Sequence, residues 1–181
     1  MHKKVVSALI IAMLASPAIA QQADQDVTGF SSADRQAMEQ CTNHARLVES
    51  QTQALNDAGQ AVPEDMPRSL ADCIGVASNI CQEQPGGAST IGIVDCLARE
   101  TAWWDGLLNS HYQDLLATND PEPADGLRKA QRAWMAFRDA DCAFQYSVWG
   151  EGSMRSIAGA SCTLDHTARR AIDLEALLAT H

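Results

Sequence analysis

Glu100 and Asp105 are the residues of this chain best suited to acid–base chemistry. Glycoside hydrolysis uses two carboxylates flanking one bond, one as acid and one as base or nucleophile. Tyr112 or His111 could assist such a pair. A simpler account covers the same segment. Asp105, Asn109 and Tyr112 lie at i, i+4 and i+7, on one helical face. Gln131, Trp134 and Arg138 lie at i, i+3 and i+7, also on one face. If the two segments form an antiparallel hairpin, Asp105 stands opposite Arg138, Asn109 opposite Trp134, and Tyr112 opposite Gln131. Arg138 can then make charge-assisted hydrogen bonds to Asp105. The Tyr112 hydroxyl and the Gln131 amide can satisfy each other, and Asn109 offers an acceptor to the Trp134 indole. Polar groups that pair off internally fix register and need no substrate. The set is therefore expected to be a structural network, with no catalytic residue.

A second candidate is the loop Trp149-Gly150-Glu151-Gly152-Ser153-Met154. It joins a large aromatic, a carboxylate, a hydroxyl and a thioether between two glycines. Loops on rigid scaffolds carry binding functions disproportionately, so Trp149, Glu151, Ser153 and Met154 are binding-loop candidates. The competing reading is a plain turn whose Trp149 packs on the core. Other motifs point to no chemistry. Pro85-Gly86-Gly87-Ala88-Ser89-Thr90 lacks the lysine of a phosphate loop and reads as a turn plus a helix cap. Ser89, Ser153 and Ser161 have no nucleophile-elbow context. His44, His111 and His166 fall on three separate helical segments, with solvated or capping roles expected.

All six cysteines, Cys41, Cys73, Cys81, Cys96, Cys142 and Cys162, follow residue 20. Cys41-x-x-His44 has a metal-like spacing, but no second Cys/His pair stands near it in sequence. No metal and no cofactor are expected. An even count in an exported chain reads as three disulfides, for which 15 pairings exist. Pairing Cys41–Cys73, Cys81–Cys96 and Cys142–Cys162 would make each bridge bracket one connector between helices.

The elements that must position these groups are helical. Lys3-Lys4, the apolar run Val5–Leu14 and Ala18-Ile19-Ala20 give residues 1–20 the form of a secretory signal peptide. Residues 21–30 are polar and aperiodic, and read as a disordered leader. Ser31 or Ser32 can cap a helix over about 33–57, with Met38, Cys41, Ala45, Val48 and Leu55 as its stripe. Gly59, Pro63 and Pro67 form a connector. A second helix is expected over 67–81, a third over about 90–118, a fourth over 124–147 and a fifth over 153–179. No segment alternates like a strand. The expected fold is a single all-α domain over 31–181, with antiparallel neighbours and disulfide staples.

Without Lys3 and Lys4 the net charge moves from −10 to −12. Such a chain repels nucleic acid and anionic lipid and attracts basic partners. Its apolar runs are too short to span a membrane.

The signature Cys96-Leu97-Ala98-Arg99-Glu100, Trp104-Asp105, Leu108-Asn109, Tyr112, Ala130-Gln131-Arg132-Ala133-Trp134, Arg138-Asp139-Ala140 and Cys142 closes with Cys162, Thr167 and Arg170. It resembles the LprI-like lysozyme-inhibitor domain family, small helical domains of bacterial envelope proteins. The resemblance covers roughly residues 70–178. It implies a non-enzymatic binding protein, periplasmic or secreted, with a basic lysozyme as protein partner and occlusion of the lysozyme cleft as mechanism. The alternatives are an envelope interaction module without lysozyme activity, and a small periplasmic hydrolase using Glu100 and Asp105.

Overall fold

The computed structural model describes residues 29–57, 59 and 69–180, with side chains described for all of these except 53–57. The signal peptide, residues 21–28 of the expected leader, Pro63, Pro67 and the Leu55 side chain lie outside the described residues. The elements are α1 (Ser32–Asp57), a 3-10 turn (Leu70–Cys73), α2 (Val76–Gln82), α3 (Thr90–Thr118), α4 (Pro121–Val148) and α5 (Met154–Leu178). The fold is all-α, with no strand among the described residues. No described helix is long and apolar enough to cross a membrane.

Local chemistry explains the helix starts. Ser31 and Asp34 form a capping box: the Asp34 N–H donates to Ser31 Oγ, and the Ser31 N–H donates to Asp34 Oδ2, both at 3.1 Å. Ser89 caps α3 by accepting from the Gly92 N–H at 3.0 Å. Pro121 opens α4, where its missing N–H costs nothing. The leader reading fails at its last residue. Phe30 is buried in the core, immediately before the cap.

The second expected helix is broken. Leu70, Cys73, Ile74, Ala77 and Cys81 recur at helical spacing, but Gly75 adopts φ +97° and separates the 3-10 turn from α2. Only glycine takes that backbone conformation without a steric cost.

The core gathers Trp104, Leu108 and Leu115 from α3, Leu164, Ala168 and Leu174 from α5, and Phe30, Met38 and Ala45 from the first segment. Trp103 meets Trp104 edge-on at 4.8 Å. Helices α3 and α5 pack along much of their length, and α4 docks on α5 while scarcely touching α3. Contacts from α4 to α5 run 131 to 170, 141 to 166 and 142 to 162, so the pair is antiparallel. Three disulfides join Cys41 to Cys73, Cys81 to Cys96 and Cys142 to Cys162, each across one connector. Arg46 of α1 grips Glu175 of α5 with two hydrogen bonds at 2.6 and 3.0 Å. That contact raises the Arg46 pKa above its ordinary value, chiefly through the hydrogen bond to Glu175.

Candidate functional site

Glu100 is fully buried, at 0% exposure. Its Oε1 accepts from the Gly75 N–H at 2.7 Å and the Trp104 indole N–H at 3.1 Å, and its Oε2 accepts from the Ser78 N–H at 2.7 Å. Gly75 is the N-cap of α2. A carboxylate from α3 therefore caps a helix whose own N-cap has no side chain. The left-handed turn at Gly75 aims the two backbone donors at that carboxylate. Asp105 is five residues on, roughly 140° around the helix axis from Glu100, and its Oδ2 accepts from Asn109 at 2.8 Å. The two carboxylates do not share a cleft. Glu100 is consumed by structure, which removes the acid–base pair on which a hydrolase reading rests.

The hairpin pairing of the polar ladder does not form. Asp105 bonds within α3 to Asn109, and Arg138 bonds to its neighbour Asp139 at 2.8 and 3.0 Å. Tyr112 is half-buried against the core. Gln131 accepts from Arg170 of α5 at 3.0 Å. The Arg138 and Arg170 guanidinium groups stand 5.0 and 6.0 Å from the Trp134 ring centre. Gln131 and Trp134 of α4 thus face Arg170 of α5 rather than α3. Opposing the two sets by constant index sum requires α3 and α4 to pack directly, and α5 takes that place instead.

The histidines also separate. His44 is half-buried, its Nε2 has no hydrogen-bond partner, and its sequence neighbour Cys41 is committed to a disulfide. His111 Nδ1 lies 3.1 Å from the Ala171 carbonyl. His166 Nε2 lies 2.9 Å from Asp141 Oδ2.

The α4–α5 loop is built as consecutive turns. The Gly150 N–H bonds the Ser147 carbonyl, the Gly152 N–H bonds Trp149, and the Arg155 N–H bonds Gly152, at 3.1 to 3.3 Å. Gly150 takes φ +59° to close the first. The Cys142–Cys162 bridge staples the two helices behind the loop, and Arg155 sits 5.1 Å over the Tyr146 ring. Trp149 is 51% exposed, so it does not pack on the core. Glu151, Ser153 and Met154 are exposed as well. All four loop candidates therefore share one tip.

Helix α4 extends that tip. Phe144 is 60% exposed and Phe137 58%, with Val148 equally open. At i, i+7 and i+11 these three make one stripe beside the face that docks on α5. Exposed apolar surface of this kind is the usual mark of an interaction site. This stripe is not legible in the sequence, because an apolar helical residue reads as core. The signal available was its offset from the Gln131, Trp134 and Arg138 face.

Residues 81–174, just over half of the chain, match the family model described as Lysozyme inhibitor LprI. Two curated relatives are similar to this chain. An uncharacterized 17.7 kDa protein of Rhodobacter capsulatus is 23% identical over 61% of this chain and 76% of its own length. An uncharacterized protein of Rhizobium meliloti is 27% identical over 61% of this chain and 91% of its own length. No solved structure matches the chain.

Proposed function

This chain belongs to the lysozyme inhibitor LprI family, and from that premise we propose that it is an exported, non-enzymatic protein that inhibits a basic lysozyme by blocking its cleft. The observation that carries the reading is the exposed tip: Trp149, Glu151, Ser153 and Met154 on a disulfide-backed loop, continuous with Phe144 and Val148. An exposed aromatic anchor beside a carboxylate has the composition of an interface hot spot with a polar rim. The net charge of −12 without the signal segment steers a cationic partner toward the chain. Glu151 would contact basic groups at the cleft edge while Trp149 enters it. Three disulfides suit an oxidising compartment, the periplasm or the outside of the cell.

The test is clearing of a cell-wall suspension by lysozyme, with and without the oxidised mature protein. Inhibition at low salt that weakens from about 0.05 to 0.5 M, as the Debye length falls from roughly 14 to 4 Å, supports the reading. The association rate should fall more than the dissociation rate rises. Absence of inhibition at low salt would contradict it, and would assign the tip to a different envelope partner. Clearing by the protein alone would restore the hydrolase reading.

A further inference from the structure

Among the described residues, the Cys142–Cys162 bridge alone has further metal-ligating side chains gathered at its sulfurs. Asp141 precedes Cys142 on α4, and His166 follows Cys162 by one helical turn on α5. The ligand atoms of Asp141, Cys142, Cys162 and His166 all lie within 4.8 Å of one another. Asp141 Oδ2 is 2.9 Å from His166 Nε2 and 3.7 Å from Cys162 Sγ. The antiparallel register of α4 and α5 creates this cluster, since each helix contributes two members. Phe137 holds the imidazole edge-on at 5.3 Å, which orients its ring.

We propose that this cluster is a redox-gated site for zinc or a similarly thiophilic divalent cation. It is latent while the disulfide is closed, and a dithiol reductant opens it. The reductant supplies two electrons and two protons. The sulfur–sulfur bond breaks, Cys142 and Cys162 become thiols, and the reductant leaves as its own disulfide. The cation then binds both sulfurs as thiolates, and two protons go to solvent. Two thiolates, one imidazole and one carboxylate are four ligands of the types zinc accepts in tetrahedral sites. Ligand atoms in such a site stand roughly 3.3–3.8 Å apart, as bond lengths of about 2.0–2.3 Å require. A cluster already within 4.8 Å reaches that spacing by side-chain rotation, on helices whose Cα atoms are 5.5 Å apart at the cysteines. His166 and Asp141 side chains are 23% and 32% exposed, which leaves the cation and the reductant a route in. The cation would replace the disulfide as the link between α4 and α5 and keep the loop end closed under reducing conditions. Cation binding here needs no lysozyme.

The test uses the full mature protein, reduced with a dithiol, freed of reductant under anaerobic conditions and titrated with cobalt(II) and then zinc. The proposal expects sulfur-to-cobalt charge-transfer bands and intense tetrahedral d–d bands at one metal per chain, bleached by zinc. It expects no such bands from the oxidised protein, and one metal per chain fewer from reduced Cys142→Ser/Cys162→Ser, where only the thiols of the other two bridges remain. His166→Ala and Asp141→Asn leave the bridge intact, and each should weaken zinc in the reduced protein at least about tenfold. Circular dichroism follows the same titration. If reduction unfolds the chain, zinc should restore helix to the wild type and not to His166→Ala. Equal binding by oxidised protein, by the double-serine variant or by His166→Ala would overturn the proposal. So would a failure of zinc to bind or refold the reduced wild type.

Discussion

Replacing Glu100 with alanine strips the acceptor from three donors at once: the Gly75 and Ser78 backbone N–H groups and the Trp104 indole. Glu100, Trp104 and Ser78 are at most 1% exposed and Gly75 is half-buried, so solvent reaches the Ser78 and Trp104 donors only by local opening. Each orphaned buried donor costs about 1–3 kcal/mol. Three of them, with some water entering the space left behind, give a loss of about 3–6 kcal/mol. A small domain has about 5–15 kcal/mol in total, so the variant should be folded weakly or not at all. Glu100→Gln is the sharper probe. Its carbonyl can still accept from Gly75 and Trp104, but its NH2 must then face the Ser78 N–H, donor against donor. A loss of about 2–4 kcal/mol follows from one orphaned donor and one repelled amide. The assay is urea unfolding of disulfide-intact protein at neutral pH, read by tryptophan fluorescence. With a slope of about 2 kcal/mol per M, the midpoint should drop by roughly 1–2 M for Glu100→Gln. Asp105→Ala is the control, because Asp105 bonds only to exposed Asn109 and should cost under about 1 kcal/mol. A Glu100→Gln midpoint equal to that of the wild type would refute the capping account and reopen a functional role for the carboxylate.

Gly75→Ala should destabilise by about 1–2 kcal/mol, because a side chain at φ +97° is strained although nothing crowds the position beyond Asn79 at 3.6 Å. The same urea measurement checks it. Arg138→Ala should cost about 1 kcal/mol, the sum of an exposed ion pair with Asp139 and a cation–π contact with Trp134. A loss of about 3–5 kcal/mol there would instead indicate a buried partner for Arg138.

Most of the scaffold was legible from local signals, and most of the site was not. The helices at 32–57, 90–118 and 154–178 follow from periodicity, from caps at Ser31 and Ser89, and from proline and glycine breaks, whereas α4 begins at Pro121 rather than near 124, because Pro121 and Pro123 fit a first helical turn instead of extending the preceding turn. The three bridges follow from the connectors that they bracket. Gly75 was not legible as a break, because its role depends on a carboxylate 25 positions away. Helical spacing alone cannot tell a helix from a helix interrupted by one left-handed residue. The ladder failed for a similar reason. Spacing shows which residues share a face, but not which helix that face meets. The docking of α4 on α5 rather than α3 decides that, and it turns Gln131 and Trp134 toward Arg170. The Cys162-x-x-x-His166 spacing was visible throughout, but its meaning depends on Asp141 and Cys142 arriving from α4.

The tip of the α4–α5 hairpin is the surface proposed to meet lysozyme. Binding of the oxidised protein to immobilised lysozyme at low salt tests this, compared across Trp149→Ala, Glu151→Lys and Asp24→Lys. A buried aromatic anchor contributes at least about 2 kcal/mol, so Trp149→Ala should weaken binding roughly 30-fold or more. Glu151→Lys should weaken it well beyond Asp24→Lys, since a charge inside a contact is desolvated whereas one away from it is screened. Unchanged affinity in Trp149→Ala, with equal effects of the two charge reversals, would contradict the account and leave net charge as the only determinant.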